Sequence, residues 1–100
     1  PFFFGLASRF EELEKLKKSG TKVRIIRMRK VPFIDSTGIN NLRNLCERTR
    51  KRGVVVILSG VTEKVQATLE KFEVDKEIGP ENIFPHIIPA LARAEEIAGR

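Results

Sequence analysis

The residues best suited to chemistry lie in one short stretch, Asp35-Ser36-Thr37-Gly38. An apolar run typical of a strand precedes this stretch and a helical pattern follows it, so we predict a strand-to-helix turn. Asp and Ser side chains cap helices by accepting hydrogen bonds from first-turn N–H groups. A helix start at the end of a strand also carries partial positive charge. The turn is therefore a candidate anion, nucleotide or phosphorylation site, and plain capping is the alternative interpretation.

Groups able to catalyse a reaction are few. His86 is the only histidine, and its place near a predicted helix start favours a surface role. Glu95 and Glu96 are adjacent on a predicted helix, where neighbours point about 100° apart and do not form a pair. Ser36 has no evident base, and the chain has no nucleophile elbow, glycine-rich nucleotide loop or metal-ligand spacing. We predict no enzymatic activity, no catalytic residue and no metal.

Cysteine content is consistent with a reducing compartment. Cys46 is the only cysteine, so an internal disulfide cannot form. It shares a predicted helix face with the apolar Ile39 and Leu42, and we therefore interpret it as a core thiol rather than a reactive one.

Positive charge is concentrated in the first half of the chain. Residues 1–52 contain 14 Lys or Arg against 5 Asp or Glu, while residues 53–100 contain 5 against 8. This asymmetry predicts attraction to an acidic partner, and the alternative is that the cations offset a helix dipole. No nucleic-acid recognition motif accompanies them, so we expect no specific nucleic acid. The candidate basic partner surface consists of Arg43, Arg48, Arg50, Lys51 and Arg52.

Strand and helix patterns alternate along the chain. The 100 residues predict one domain, 1–100, and no segment has the length of apolar sequence that a membrane span needs. Short connections between alternating elements predict an α/β fold with a mainly parallel sheet flanked by helices. The predicted strands cover residues 2–4, 21–29 and 54–58, with a short one at 83–84. The predicted helices cover residues 7–19, the segment from the turn to Gly53, the segment from Thr62 to about Phe72, and residues 85–98.

Two of these segments together resemble a known family. Asp35-Ser36-Thr37-Gly38, with the strand and loop at 26–32 before it, resembles the D-S-x-G turn of the STAS domain. The aromatic opening Pro1-Phe2-Phe3-Phe4-Gly5, followed by a predicted helix, resembles the SulP (sulfate permease) branch. The resemblance covers almost the whole chain, except that the first strand of the family is missing.

This resemblance implies a non-catalytic regulatory and protein-interaction domain at the cytoplasmic face of the inner or plasma membrane. The expected partner is the transmembrane domain of a sulfate or anion transporter. No obligatory cofactor is implied, although the family also allows weak nucleotide binding. The alternative is a stand-alone phospho-switch like the anti-sigma factor antagonists, acting through Ser36. An open sheet edge could pair copies of the chain, and charge alone suggests an acidic partner such as an acyl carrier protein.

Overall fold

Three strands form one sheet in the part of the chain that this computed structural model describes, residues 11–17 and 20–99. The first strand, β1 (Glu11–Lys17), runs antiparallel to β2 (Gly20–Arg27). β2 in turn pairs in parallel with β3 (Val55–Ser59). A single parallel bridge between Leu58 and Ile83 extends the sheet beyond β3.

Helices cover both faces of this sheet. Parallel strands need a crossover connection, and α1 (Ser36–Lys51) supplies it between β2 and β3. Three further helices follow β3, with a short 3-10 turn at Pro80–Asn82 between the last two: α2 (Glu63–Lys71), α3 (Val74–Ile78) and α4 (Ile87–Ala98).

The core is divided into two layers by the central strands. A strand that is covered on both faces has a continuous run of apolar residues. In β3, Val56, Ile57 and Leu58 form such a run, and all three are buried. One layer lies against α1 and α2 and contains Ile26, Met28, Ile39, Leu42, Val56, Leu58, Val65 and Leu69, among others. The other lies against α4 and contains Val23, Ile25, Ile57, Ala90, Ala94 and Ile97. The small alanines of α4 let that helix approach the sheet closely.

The α/β prediction is confirmed. β2, α1, β3 and α2 alternate along the chain, and the β2–β3 pairing is parallel. The predicted strand at 83–84 is reduced to the one bridge at Ile83. The described sheet is consistent with a family sheet that lacks its first strand, while the aromatic segment at 2–4 lies outside the described residues.

The predicted helix at 7–19 is wrong where the structure describes that segment. Residues Glu11–Lys17 form β1, paired with β2 across a register shift between Lys15 and Leu16. An edge strand satisfies the outward N–H and C=O groups of β2, which a helix at this place could not do. Tertiary pairing therefore outweighs the weak three-residue periodicity of the local sequence.

The corner between α2 and α3 was not predicted from the sequence. Glu73 adopts φ of 60°, the left-handed region that side chains rarely occupy. It turns the chain so that Val74 and Ile78 of the short α3 are buried in the first core layer. No glycine or proline marks this corner, so sequence alone offers no signal for it.

A buried polar contact fixes the start of the final segment. Asn82 is buried, its side-chain N–H donates to the carbonyl of Ile78 at 3.4 Å, and its oxygen accepts from Nε of Arg93 at 2.9 Å. Arg93 also pairs with Glu96 on the same helix. The amide therefore joins the 3-10 turn to α4, which satisfies polar groups that would otherwise be costly to bury.

Gly60, which follows β3, offers a test of this architecture. A Cβ at this position would lie 2.7 Å from both the backbone N and the Cβ of Arg29, and φ is +69°. We expect Gly60→Ala to lower the free energy of unfolding by about 2 kcal/mol or more, because strain and overlap add. Gly53→Ala is the matched control, since its φ is +78° but nothing lies within 4 Å of the added Cβ. Gly53→Ala should lower the free energy of unfolding, measured in urea, by only about 1 kcal/mol. If the two variants lose the same free energy of unfolding, the close approach of the Gly60 and Arg29 loops is contradicted.

Candidate functional site

The loop before α1 is held by buried side chains at both ends. Val31 and Ile34 are buried in the core layer beneath α1, and the N–H of Val31 donates to the carbonyl of Met28 at 2.9 Å. Between them Phe33 is partly exposed, and Nζ of Lys64 lies 5.9 Å from the centre of its ring. The loop therefore delivers the next residues to the start of α1 in a defined position.

Asp35 is the N-cap of α1. Its backbone is extended, with φ of −98° and ψ of −177°, and its Oδ1 accepts a hydrogen bond from the N–H of Gly38 at 2.8 Å. Its carbonyl accepts from the N–H of Ile39 at 2.8 Å, the first bond of the helix. The predicted capping role of Asp35 is therefore observed directly in the geometry.

Ser36 and Thr37 occupy the first turn with exposed side chains, while Gly38 behind them is buried. Neither hydroxyl makes a hydrogen bond within the described part of the chain, so both are accessible to a modifying enzyme or a partner. The Asp35 carboxylate already uses one first-turn N–H and adds negative charge there. Anion or nucleotide binding at Asp35, Ser36, Thr37 and Gly38 therefore stays a prediction, with the cap competing against it.

The five cations of the basic partner surface divide into two groups. Nε of Arg43 lies 3.0 Å from a carboxylate oxygen of Glu77, and its guanidinium donates to the carbonyl of Phe72 at 2.7 Å. Arg50 donates to the carbonyl of Glu77 at 2.6 Å. These two arginines hold α3 against α1. The other three side chains are exposed: Arg48, Lys51 and Arg52.

Cys46 is a core thiol, as predicted from its helix face. It is 1% exposed, and burial raises the pKa of its thiol from 9.0 to about 12. Arg50 nearby lowers the pKa and Glu77 raises it, both by less than burial does. Because the thiolate is the reactive form, this cysteine is poorly suited to nucleophilic or redox chemistry.

The remaining titratable candidates do not form a cluster. His86 is exposed and directly precedes α4, to which it gives no side-chain cap. Glu95 and Glu96 are exposed on the outer side of the same helix. Across residues 11–17 and 20–99, no group of three or more His, Cys, Asp or Glu side chains is placed to hold a metal ion.

Comparison with known proteins decides the family. The model of the STAS domain matches residues 1–90, nine-tenths of the chain. The chain belongs to the STAS domain family. Among curated proteins, none matches it.

Two solved structures are similar to this STAS domain. One is a sulfate transporter family protein from Wolinella succinogenes, at 39% identity and a TM-score of 0.83, with 100% of this chain and 82% of that chain covered. The other is the STAS domain of a SulP transporter from Vibrio cholerae, at 33% identity and a TM-score of 0.76, with coverage of 84% and 66%. The predicted SulP resemblance is thus confirmed. Within the described ranges of the STAS domain, every helix is too short or too polar to cross a bilayer.

Sequence reasoning identified the turn but missed the partners of the arginines. Arg43 and Arg50 were interpreted as surface charge, whereas both contact Glu77 of α3, and Arg43 also donates to the carbonyl of Phe72 at the α2–α3 corner. A signal was present in their spacing of seven residues, which places them on one face of α1. The identity of Glu77 as the acceptor depends on the unpredicted corner at Glu73.

The cap of the STAS domain can be tested by substitution. We expect Asp35→Ala to lower the free energy of unfolding by about 1 kcal/mol, because the N–H of Gly38 loses its acceptor. Asp35→Asn keeps a side-chain oxygen at the same place and should lose much less. Urea unfolding of the three proteins provides the measurement. An Asn variant as unstable as the Ala variant would show that the hydrogen bond is not what stabilises the turn.

The buried thiol of Cys46 should make the stability of the domain depend on pH. Its folded-state pKa is raised, so the unfolded chain loses the proton first as the pH rises, and stability falls through the window from 9.0 to about 12. The expected slope is at most about 1.4 kcal/mol per pH unit from this group. Unfolding free energies should be measured between pH 8 and the upper end of that window. Cys46→Ala, although less stable throughout, should lose this component of the slope; an unchanged slope would contradict the assignment.

Proposed function

We propose that this STAS domain is a non-catalytic regulatory and protein-interaction domain of a SulP-type sulfate or anion transporter. The observation that carries the proposal is the pairing of a rigid helix cap with two exposed hydroxyls. Asp35 fixes the start of α1, and Ser36 and Thr37 stand in solvent on that fixed turn. Exposed polar residues on a rigid support are typical of recognition surfaces.

Family relations support the transporter assignment. The two similar solved structures are a sulfate transporter family protein and the STAS domain of a SulP transporter. We infer that the transmembrane domain of the parent transporter is the first partner, and that the domain lies at the cytoplasmic face of its membrane. Transport itself then belongs to the membrane domain, and the STAS domain acts by binding.

The non-catalytic assignment is supported by the surroundings of Ser36. A nucleophilic serine needs a base within hydrogen-bond reach. Among the described residues, the Ser36 hydroxyl has no such partner, and its neighbour Asp35 is engaged with the N–H of Gly38. Cys46, the other nucleophile considered, is buried and protonated at physiological pH.

The charge of α1 supports a second contact. Arg48, Lys51 and Arg52 are exposed at the end of α1 opposite the turn. A strongly acidic cytosolic protein, such as an acyl carrier protein, has the complementary charge. We infer that such a partner docks at this end through electrostatic attraction.

The test uses the full-length transporter that carries this domain. Replacing both hydroxyl residues with Glu (Ser36→Glu with Thr37→Glu) should change sulfate uptake into membrane vesicles about fivefold or more, the lower end of typical coupling between sites. The control is Ala92→Glu, which adds negative charge to the exposed side of α4. Transporter abundance and the Tm of the 100-residue chain should be unchanged in all variants. Uptake unchanged by the double variant, or turnover by the isolated chain, would contradict the proposal.

Exposure of Ser36 also favours the second candidate, a stand-alone phospho-switch. A phosphate on Ser36 would lie in the first turn, where the helix dipole favours negative charge, although close to Asp35. The two candidates differ in their dependence on a membrane domain. A phospho-switch would bind its partner protein as the isolated chain, without a membrane domain. After treatment with a cognate kinase, the Ser36→Ala variant would not bind that partner. Regulation of transport by the unphosphorylated domain supports the first.

A further inference from the structure

A groove lies along the outer side of α2, at the edge of the sheet beyond β3. The helix forms one wall, and the segment that carries the single bridge at Ile83 forms the other. Its volume is about 320 Å³, within the range typical of binding sites. None of the four residues of the Asp35–Gly38 turn lines it. We name it the α2 groove, and the residues that matter to its chemistry are Glu63, Gln66, Ala67, Glu70, Ile83 and Pro85.

Helical spacing explains why one side of α2 lines this groove. Positions separated by three, four and seven residues lie on one face of a helix. Val65 and Leu69 occupy a different face and are buried in the first core layer. The core therefore leaves the groove side of α2 uncovered. The residues of α2 on that side are Glu63, Gln66, Ala67 and Glu70.

The lysines of α2 lie on another side of the helix, seven positions apart. Nζ of Lys64 lies 5.9 Å from the centre of the Phe33 ring. Nζ of Lys71 lies 5.7 Å from the centre of the Phe72 ring. Neither lysine lines the groove, so the positive charges of α2 are held away from it.

The carboxylates of α2 are also seven positions apart, and they do line the groove. Glu63 and Glu70 are exposed, and neither forms an ion pair with a residue that the structure describes. Glu70 accepts one hydrogen bond, from the side-chain N–H of Gln66 at 2.9 Å. None of the described residues that line the groove is Lys or Arg. On a chain with a formal net charge of +6, the groove is therefore a local acidic surface.

Between the two carboxylates the groove is apolar. Ala67 contributes a methyl group from α2, and Ile83 and Pro85 contribute apolar surface from the opposite wall. Ile83 packs against the first core layer. The next residue is tied to β3, since the N–H of Phe84 donates to the carbonyl of Leu58 at 2.9 Å. This wall is therefore fixed to the sheet, and an apolar side chain that enters the groove is removed from water.

The spacing of the carboxylates fits a second helix. Seven helical residues span about 10 Å, so Glu63 and Glu70 stand near the two ends of the apolar stretch. A helix packed along the groove has the same repeat. Its residues at i and i+7 lie beside the two carboxylates, and those at i+3 and i+4 lie over Ala67 and Ile83. Such a helix complements the groove when the first pair is cationic and the second pair is apolar.

We propose that the α2 groove docks a cationic amphipathic helix from the cytoplasmic side of the transporter's membrane domain. This inference rests on the proposed function. Segments that flank membrane spans on the cytoplasmic side are enriched in Lys and Arg, so they carry the charge that the groove lacks. A second copy of the chain fits less well. The exposed cations of α1 have no exposed apolar side chain between them: Arg48, Lys51 and Arg52.

The first test is a binding titration of the 100-residue chain with a labelled helical peptide, followed by fluorescence anisotropy. The peptide has about 15 residues, the length at which isolated helices become stable. It carries Lys at i and i+7 and Leu at i+3 and i+4, on a background of Ala and Gln. We expect saturable binding, and a peptide with Glu in place of the two Lys should bind about tenfold more weakly. Equal affinity for the two peptides would overturn the proposal.

Charge reversal on the domain identifies the groove as the binding site. Glu63→Lys with Glu70→Lys should weaken binding of the Lys peptide about tenfold and strengthen binding of the Glu peptide about as much. The matched control is Glu47→Lys with Glu95→Lys, which makes the same change of net charge at exposed positions of α1 and α4. An equal loss of binding in the control would overturn the assignment, because net charge alone would then explain it.

Ala67→Arg blocks the apolar stretch without touching the core. Ala67 is exposed and arginine is a good helix former, so Tm should stay unchanged while the Kd for the Lys peptide rises about tenfold or more. Ala92→Arg, on the exposed side of α4, is the control and should bind the peptide as the parent chain does. Binding retained in Ala67→Arg would contradict the proposal. So would dimers of the chain that Ala67→Arg dissociates, because a second copy would then occupy the groove.

Sulfate uptake by the full-length transporter separates this inference from the proposed function. Ala67→Arg should change uptake about fivefold or more, and Ala92→Arg should not. Uptake that responds to Ser36→Glu with Thr37→Glu but not to Ala67→Arg would overturn docking at the groove and leave the proposed function standing. Uptake that responds to Ala67→Arg alone would support the groove and count against the role of the Asp35 turn.

Discussion

The parallel register of β2 and β3 is the constraint on which the rest of the structure depends. Val23 of β2 pairs with Val55 of β3, and the following residues of the two strands pair in the same register. Alternate side chains therefore lie in two separate core layers. Because both layers are closed by helices, β3 is apolar from Val55 to Leu58 and its first polar residue is Ser59, at its end. Loops and helix starts then gather at the carboxyl edge of the sheet, the usual place for ligand sites in such folds. Both the Asp35 turn and the start of α2, which lines the α2 groove, lie at that edge.

The helices differ in how their starts are capped. α1 and α2 are closed by side chains, with Asp35 accepting from Gly38 at 2.8 Å and Thr62 accepting from Val65 at 3.2 Å. α4 has no such side chain, since His86 occupies its N-cap. A closed helix start presents a rigid surface for a protein to recognise, whereas an open one leaves its first-turn N–H groups without a side-chain acceptor. The starts of α1 and α4 therefore differ in the polar groups that they present to solvent.

Local patterns predicted most of this fold. The apolar run of β3, the Asp35 cap and the Thr62 cap each depend on neighbouring residues only, and each is present in the structure. The failures share one cause, which is that distant pairing decided the outcome. β1 forms because β2 needs a partner for its outer edge, and the α2–α3 corner depends on an unusual φ at Glu73 that no glycine announces. Arg27 follows Val23 and Ile25 on the same face of β2, and its polar side chain there is matched by Ser59, its register partner on β3.

Arg43 and Arg50 have a consequence for any acidic protein that approaches α1. Both guanidinium groups are already neutralised or held by Glu77 and by the carbonyls of Phe72 and Glu77. The electrostatic field met by an incoming protein therefore comes mainly from Arg48, Arg50, Lys51 and Arg52, because the carbonyl that holds Arg50 leaves its positive charge in place. Screening by salt acts on those four charges, whereas Arg43 is paired with the carboxylate of Glu77. The ionic-strength dependence of association should thus correspond to about four charges rather than five, and α3 should keep its position against α1 while the complex forms and dissociates.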